Sequence, residues 1–276
     1  GWIYYNTDVL NSYRSNTATE RWQADMERAL LQYENTPQPK VTDVTLRVDL
    51  YPHEHRAIAT GTYQIENRTG APLSEIHLLW PEALKLDRVE IDGATIATDF
   101  AEQTPAFPFQ IWRLSTPMQP GEHREIRFTT RDEYLGFRTN NVLTQINDNG
   151  TFINDRALAP VMSFDRSGLL QDRNVRRRNG LPAELRMAQL EDEVARQVNY
   201  LRHDADWVNA DITVSTDAGQ TPIAPGYVVS DNTENGRRIV HFRTDAPIMH
   251  FFSIQSADYE IARDRWNDVD LAIYYD

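Results

Sequence analysis

The chain has 276 residues, 40% hydrophobic and 25% charged, with 28 basic against 41 acidic side chains and a net charge of −13. That composition is globular and the length suits one large or two modest domains, while the negative surface repels phosphate backbones and anionic lipid and so excludes nucleic acid as a partner. Cysteine is absent, which removes disulfides, thiolate metal sites and cysteine nucleophiles, and no apolar run reaches the roughly 18 residues of a membrane-spanning helix.

The opening residues, GWIYYNTDVL, are rich in aromatics and carry no initiator Met, so the chain reads as a piece of something longer, with no secretory signal in it. Trp2, Tyr4 and Tyr5 suit either the membrane–water boundary after a transmembrane segment or a hydrophobic strand packed on the body. Residues 17–34 follow as an expected helix: Thr17 and Glu20 have the spacing of a capping box, and Trp22, Met26, Leu30 and Tyr33 form one stripe. Thr36-Pro37 and Gln38-Pro39 end it.

Beyond residue 40 the period changes to two. Val44, Leu46, Val48 and Leu50 alternate with Thr45, Arg47 and Asp49, and a second alternating run carries Tyr63 and Ile65. The segment PHEHR lies between these runs as a hairpin connection. Further strands are expected in SEIHLLWP, LKLDRVEID, REIRFTT, NADITVSTD, RRIVHFRTD, HFFSIQSADYEIARD and VDLAIYYD, punctuated at Asp92-Gly93, Pro120-Gly121, Ala218-Gly219 and Asn235-Gly236. The pattern predicts a mainly β chain, a saddle-like or sandwich system of antiparallel sheets with an N-terminal helix. Residues 1–40 then form a segment and helix packing on a body of residues 41–276. Residues 131–207 interrupt that body as a long, irregular, charged insertion, with a short helix expected where Leu190, Val194, Val198 and Leu201 fall at helical spacing.

Chemistry-bearing residues are sparse. His53 and His55 share a strand face, but a helical zinc pair needs histidines four apart with a glutamate behind the first, and His-Glu-His lacks that spacing. No G-x-S-x-G elbow and no Gly-rich phosphate loop occurs. Glu191, Asp192 and Glu193 read as a solvated face, and the basic run Arg176–Arg178 as an anchor for the insertion against acidic neighbours.

Three stretches carry a resemblance: GWIYYNTDVLNSYRS with ERWQADMERALLQYENTPQPKVTDVTLRVDLYP; NGTFINDRALAPVMSFDRSG with RRRNGLPAEL; and DADWVNADITVSTDAGQTPIAPGYVVS leading to APIMHFFSIQSADYEIARD. Together they resemble the N-terminal β domain of aminopeptidase N-like zinc metallopeptidases, within a bacterial subgroup in which that module follows an ABC-type permease domain. The resemblance implies a non-catalytic domain that shapes the substrate cleft of a following zinc domain, with no catalytic or metal-ligating residue and no cofactor of its own. Zinc, held by HExxH and a distal Glu, belongs to that following domain. It implies the following domain and a peptide substrate as partners, and the extracytoplasmic, periplasmic side of a bacterial inner membrane as the location, with membrane contact only through flanking segments. In the family a Gln or Glu on the β domain accepts from the substrate's free amine; the matching loop here is TFINDRALAPVMSFD, which places Asn154 or Asp155 in that role, with Arg156 or Arg166 as possible partners of Asp155.

Two readings of other classes stand beside it. One is a peptide- or partner-binding scaffold of a transporter-linked pseudo-peptidase, using an exposed sheet edge. The other is a sugar-binding module in which Trp80, Trp112 and the Tyr-rich ends stack on sugar rings.

Overall fold

The computed structural model describes residues 2–5, 15–133, 144–147, 150–164, 166, 169–185 and 207–258. The first strand, β1 (Ile3–Tyr5), buries Tyr4 and leaves Trp2 and Tyr5 exposed. Helix α1 follows at Asn16–Leu30 and tightens into a 3-10 turn at Leu31–Tyr33. Its cap is Ser15, whose Oγ accepts the Ala18 N–H, and not Thr17 as expected from the sequence. Thr17 and Glu20 lie inside the first turns instead, and Glu20 is taken by Arg178. The expected stripe is real: Met26 and Leu30 are buried, and Trp22 and Tyr33 pack beside them against Phe100, Phe107, Phe109 and Ile111. Each fully buried Leu or Met there contributes about 1.5–3 kcal/mol.

Strands β2 (Lys40–Tyr51) and β3 (Arg56–Glu66) form a long hairpin. The PHEHR segment joins them as expected, through a 3-10 turn at Pro52–Glu54 and a left-handed His55. Then come β4 (Leu73–Leu79), β5 (Lys85–Ile91), β6 (Ala94–Asp99), β7 (Phe109–Met118) and β8 (His123–Glu133). The insertion is organised where it is described, with β9 (Thr144–Asn147), β10 (Gly150–Asn154) and helix α2 (Arg173–Arg178). The helix expected around Leu190–Leu201, the acidic run at 191–193 and the strand VDLAIYYD lie outside the described residues. The chain resumes with β11 (Trp207–Asp217), β12 (Gln220–Ile223), β13 (Tyr227–Glu234), β14 (Arg237–Arg243), β15 (Ile248–Met249) and β16 (Ser253–Asp258).

Among the described residues these strands make three sheets. The large one runs β1-β5-β8-β3-β2-β11-β14-β13, with β15 on β11; the others run β12-β16-β10-β9 and β4-β7-β6. All pairs are antiparallel except β2 with β11, where Leu46 lies beside Ile212. The inner face of the large sheet carries the residues expected from alternation: Val44, Leu46, Val48, Leu50, Tyr63, Ile65, Ile212 and Val214. Residues of both small sheets, Ile76, Leu78, Trp112, Ile153 and Ile254, join the same core, so both pack on that face. Helix α1 covers the opposite face of β4-β7-β6 through Phe109 and Ile111. Trp80 and Trp112 are buried core residues, which removes them as sugar-stacking platforms and corrects that reading.

One close approach inside this core depends on glycine. Gly61 of β3 stands opposite Phe128 of β8, and the ring lies across it where a Cβ would overlap. Tyr63 takes the ring's edge at 4.9 Å. At the β13–β14 hairpin Asn235 and Gly236 both have positive φ, the two-residue turn that matches strand twist.

Candidate functional site

Helix α2 fixes the insertion to the body through charge, as expected of the basic run. Asp172 caps α2 by accepting the Asn174 and Val175 N–H groups. Arg176, 1% exposed, donates to both oxygens of Glu27 on α1 at 2.7 and 3.0 Å, and to the carbonyls of Leu170 and Pro182. Arg178 reaches Glu20, about two turns earlier on the same face of α1. Arg166 pairs with Glu34, so Arg166 is not the partner of Asp155.

The turn that follows β10 holds the residues singled out from sequence. Asn154 ends β10, and its Oδ1 accepts the Arg156 N–H at 3.0 Å, capping the 3-10 turn Asp155–Ala157. Asp155 docks the turn on the strand segment before β16. Its N–H donates to the Phe252 carbonyl, and its Oδ1 accepts the Phe252 N–H, both at 2.9 Å. Its Oδ2 lies 3.4 Å from His250 Nε2. Arg156 donates to the His250 carbonyl and holds its guanidinium 5.7 Å from the Phe251 ring. Behind them Tyr63 donates to the Pro160 carbonyl at 2.9 Å and sets its ring edge-on to His250.

The cluster is dry. Asn154 and Asp155 are both buried, with 4 and 2% of their surface exposed. Burial raises the Asp155 carboxyl to about 7, against the Phe252 N–H and Arg156, which both favour its charged form. Burial, assisted by Arg156, lowers His250 to about 4. Tyr63 is pushed well above its ordinary value by burial and then by Asp155. As folded, then, the oxygens at 154 and 155 bind backbone amides and shape the turn. Arg156, expected as a possible partner of Asp155, acts on it through charge, while His250 and Tyr63 were not singled out as site residues from sequence. Only the fold brings 63, 155 and 250 together, and a lone histidine in APIMHFF carries no spacing signal.

Among the described residues His53 and His55 are not brought together with a third donor. His53 Nε2 faces Asp217 at 3.3 Å, and His55 Nδ1 contacts the Ile146 carbonyl at 2.7 Å. Among the described residues no group of three or more His, Asp or Glu side chains gathers in metal-binding range. Among the same residues no helix is long and apolar enough to cross a membrane.

Beside the turn the surface turns apolar. Trp207 and Met249 are direct cross-strand partners on β11 and β15, Phe251 follows two residues on, and the three are 47, 49 and 50% exposed.

Comparison with solved structures gives the same architecture. Over 81% of its length the chain superposes on an M1 zinc metallopeptidase mutant from Deinococcus radiodurans bound to a Tyr-Ser-Ala substrate, at a TM-score of 0.50 and 14% identity. A two-domain M1 zinc metallopeptidase mutant bound to L-arginine matches over 81% at a TM-score of 0.51 and 14% identity. The fold is shared with M1 zinc metallopeptidases. In both cases the chain spans 43% of the matched chain, less than half of its length. No protein-family model and no curated protein matches the sequence. The expected mainly β architecture with an N-terminal helix is thus shared with part of the matched M1 chains.

Proposed function

We propose that this chain is the non-catalytic β domain of an M1-like metallopeptidase, supporting and shaping one wall of the cleft of a following zinc domain. The observation that carries the reading is the row Trp207, Met249 and Phe251, half exposed beside the turn 154–157 in a fold shared with part of the M1 chains. A second domain seated there removes that apolar surface from water. Asn154 and Asp155 belong to the same wall. Their part in this reading is to hold the loop's shape at the end of the cleft where a peptide's free amine is received.

Zinc belongs to the following domain, and the periplasmic location, membrane anchorage and permease fusion implied by the sequence resemblance are parts of the same proposal. The test is to express this chain alone and joined to its downstream coding sequence. Alone, it binds no stoichiometric zinc and leaves aminoacyl reporter substrates intact; joined, it gains hydrolysis, and Trp207→Ser with Phe251→Ser weakens the joined protein. Zinc-dependent hydrolysis by the isolated chain overturns the reading. A downstream segment without HExxH that still docks on the row shifts it to the transporter-linked scaffold.

A further inference from the structure

The cleft reading makes no use of β13, the last strand of the large sheet. We propose that its free edge is a docking site for an extended, basic segment of another polypeptide, which adds to the sheet as one more strand. Edge strands are ordinarily kept short or blunted, because their free main-chain groups capture other strands. At the other end of the large sheet β1 is three residues long, and β12, which lies against β14 at the rim of the second sheet, is four residues long and contains Pro222. Strand β13 has eight residues, all exposed, with neither Pro nor Lys among them, and pairs only with β14 among the described residues. One guard is present. A register shift between Val228 and Ser230 confines regular pairing to residues 230–234.

The hairpin fixes which groups are free. Glu234 and Arg237 flank the two-residue turn, which makes them a hydrogen-bonded pair. Alternation then commits the main chain of Ser230, Asn232 and Glu234 to β14, and turns the N–H and C=O of Asp231 and Thr233 outward. Those two donors and two acceptors, at a spacing of two residues, are the pattern that an added strand takes up.

Charge selects the occupant. Strand β13 carries Asp231 and Glu234 and no basic side chain. Asp231 is met by Arg238 at 2.7 Å, whereas Glu234 has no ionic partner among the described residues. A second copy of this chain would set acidic edge against acidic edge, with a net charge of −13 on each side. A basic strand meets Glu234 and the surplus charge instead, and opposite charges on paired strands attract. Beside the regular stretch, Tyr227, Val228 and Val229 are 50, 55 and 42% exposed and extend the site with apolar contact.

The experiment titrates this chain, at low salt, into a capped and fluorescently labelled peptide, Lys-Val-Thr-Lys-Thr-Val-Lys, and reads anisotropy. The same peptide with Glu in place of each Lys runs beside it. The basic peptide should bind at least about ten-fold more tightly than the acidic one. Thr233→Pro removes an outward N–H without touching a bond to β14, and should weaken binding at least about ten-fold. Thr233→Ala keeps that N–H and should change binding by less than about two-fold, while Glu234→Lys should weaken it about two- to five-fold. Equal binding of the two peptides, equal binding by the Pro and Ala variants, or no binding at about 1 mM peptide overturns the proposal. A dimer in sedimentation that Thr233→Pro dissolves gives the edge to a second copy and overturns it too. Should Thr233→Pro fail to fold, hydrogen exchange in the wild type decides. The Asp231 and Thr233 amides should slow when the basic peptide is added, and unchanged exchange at both overturns the docking.

Discussion

Cutting the tie between α1 and α2 tests how the insertion is held. The Glu27–Arg176 pair is almost wholly buried, and Arg176 makes four hydrogen bonds, two to Glu27 and two to main-chain carbonyls. Glu27→Met leaves a buried guanidinium without its counter-charge, and Arg176→Met leaves a buried carboxylate. Each is expected to cost about 3–5 kcal/mol. The double variant Glu27→Met/Arg176→Met removes both charges and leaves only the Leu170 and Pro182 carbonyls without a donor, at about 1 kcal/mol each. It should therefore be more stable than either single variant, with a coupling energy of at least about 3 kcal/mol. Urea denaturation followed by tryptophan fluorescence reads the cycle, because Trp22 sits on α1 with its ring 5.8 Å from Phe107. Additive costs, or single variants each within about 1 kcal/mol of wild type, would refute the idea that a buried charge pair fastens α2.

Gly61→Ala should cost about 1–3 kcal/mol by overpacking, and Phe128→Leu in the same chain should return part of it; thermal melting checks both. Leu30→Ala empties a fully buried position under α1 and should cost about 2–5 kcal/mol by chemical denaturation. Ser15→Ala removes the α1 cap and should cost about 0.5–2 kcal/mol, while Thr17→Ala should be nearly neutral in the same assay. In the isolated chain Trp207→Ser should stay within about 0.5 kcal/mol of wild type, because the side chain is half bare; a larger loss in a melt would mean the row is structural.

The strands that alternate were legible because one face meets the core and the other meets water, as in β2, β3 and β11. Strand β7 was missed for the opposite reason: Phe109, Gln110, Ile111 and Trp112 are all buried, because α1 covers one face and the large sheet the other. Strand β13 was missed because all eight of its residues are exposed, as befits the edge of the sheet. Periodicity cannot report a strand that has two insides or none. The helix was legible from its stripe, but its cap was set two residues late, because Thr17 with Glu20 imitates a signal that Ser15 performs. At the site, Asn154 and Asp155 came from the resemblance alone. Tyr63 on β3 and His250 between β15 and β16 lie far away in sequence, and no local pattern announces a contact across that separation.

The single parallel pairing has a consequence for the order of assembly. β2 ends at Tyr51, and its neighbour β11 begins at Trp207, so the middle of the large sheet cannot close until most of the chain has been made. Lengthening the intervening loop adds little free energy, since closure entropy grows only with the logarithm of length. It lengthens the wait, however, and during it β2 presents an unsatisfied edge opposite its hairpin partner β3. A nascent chain halted before β11 should therefore be the form most prone to aggregate and most dependent on chaperones.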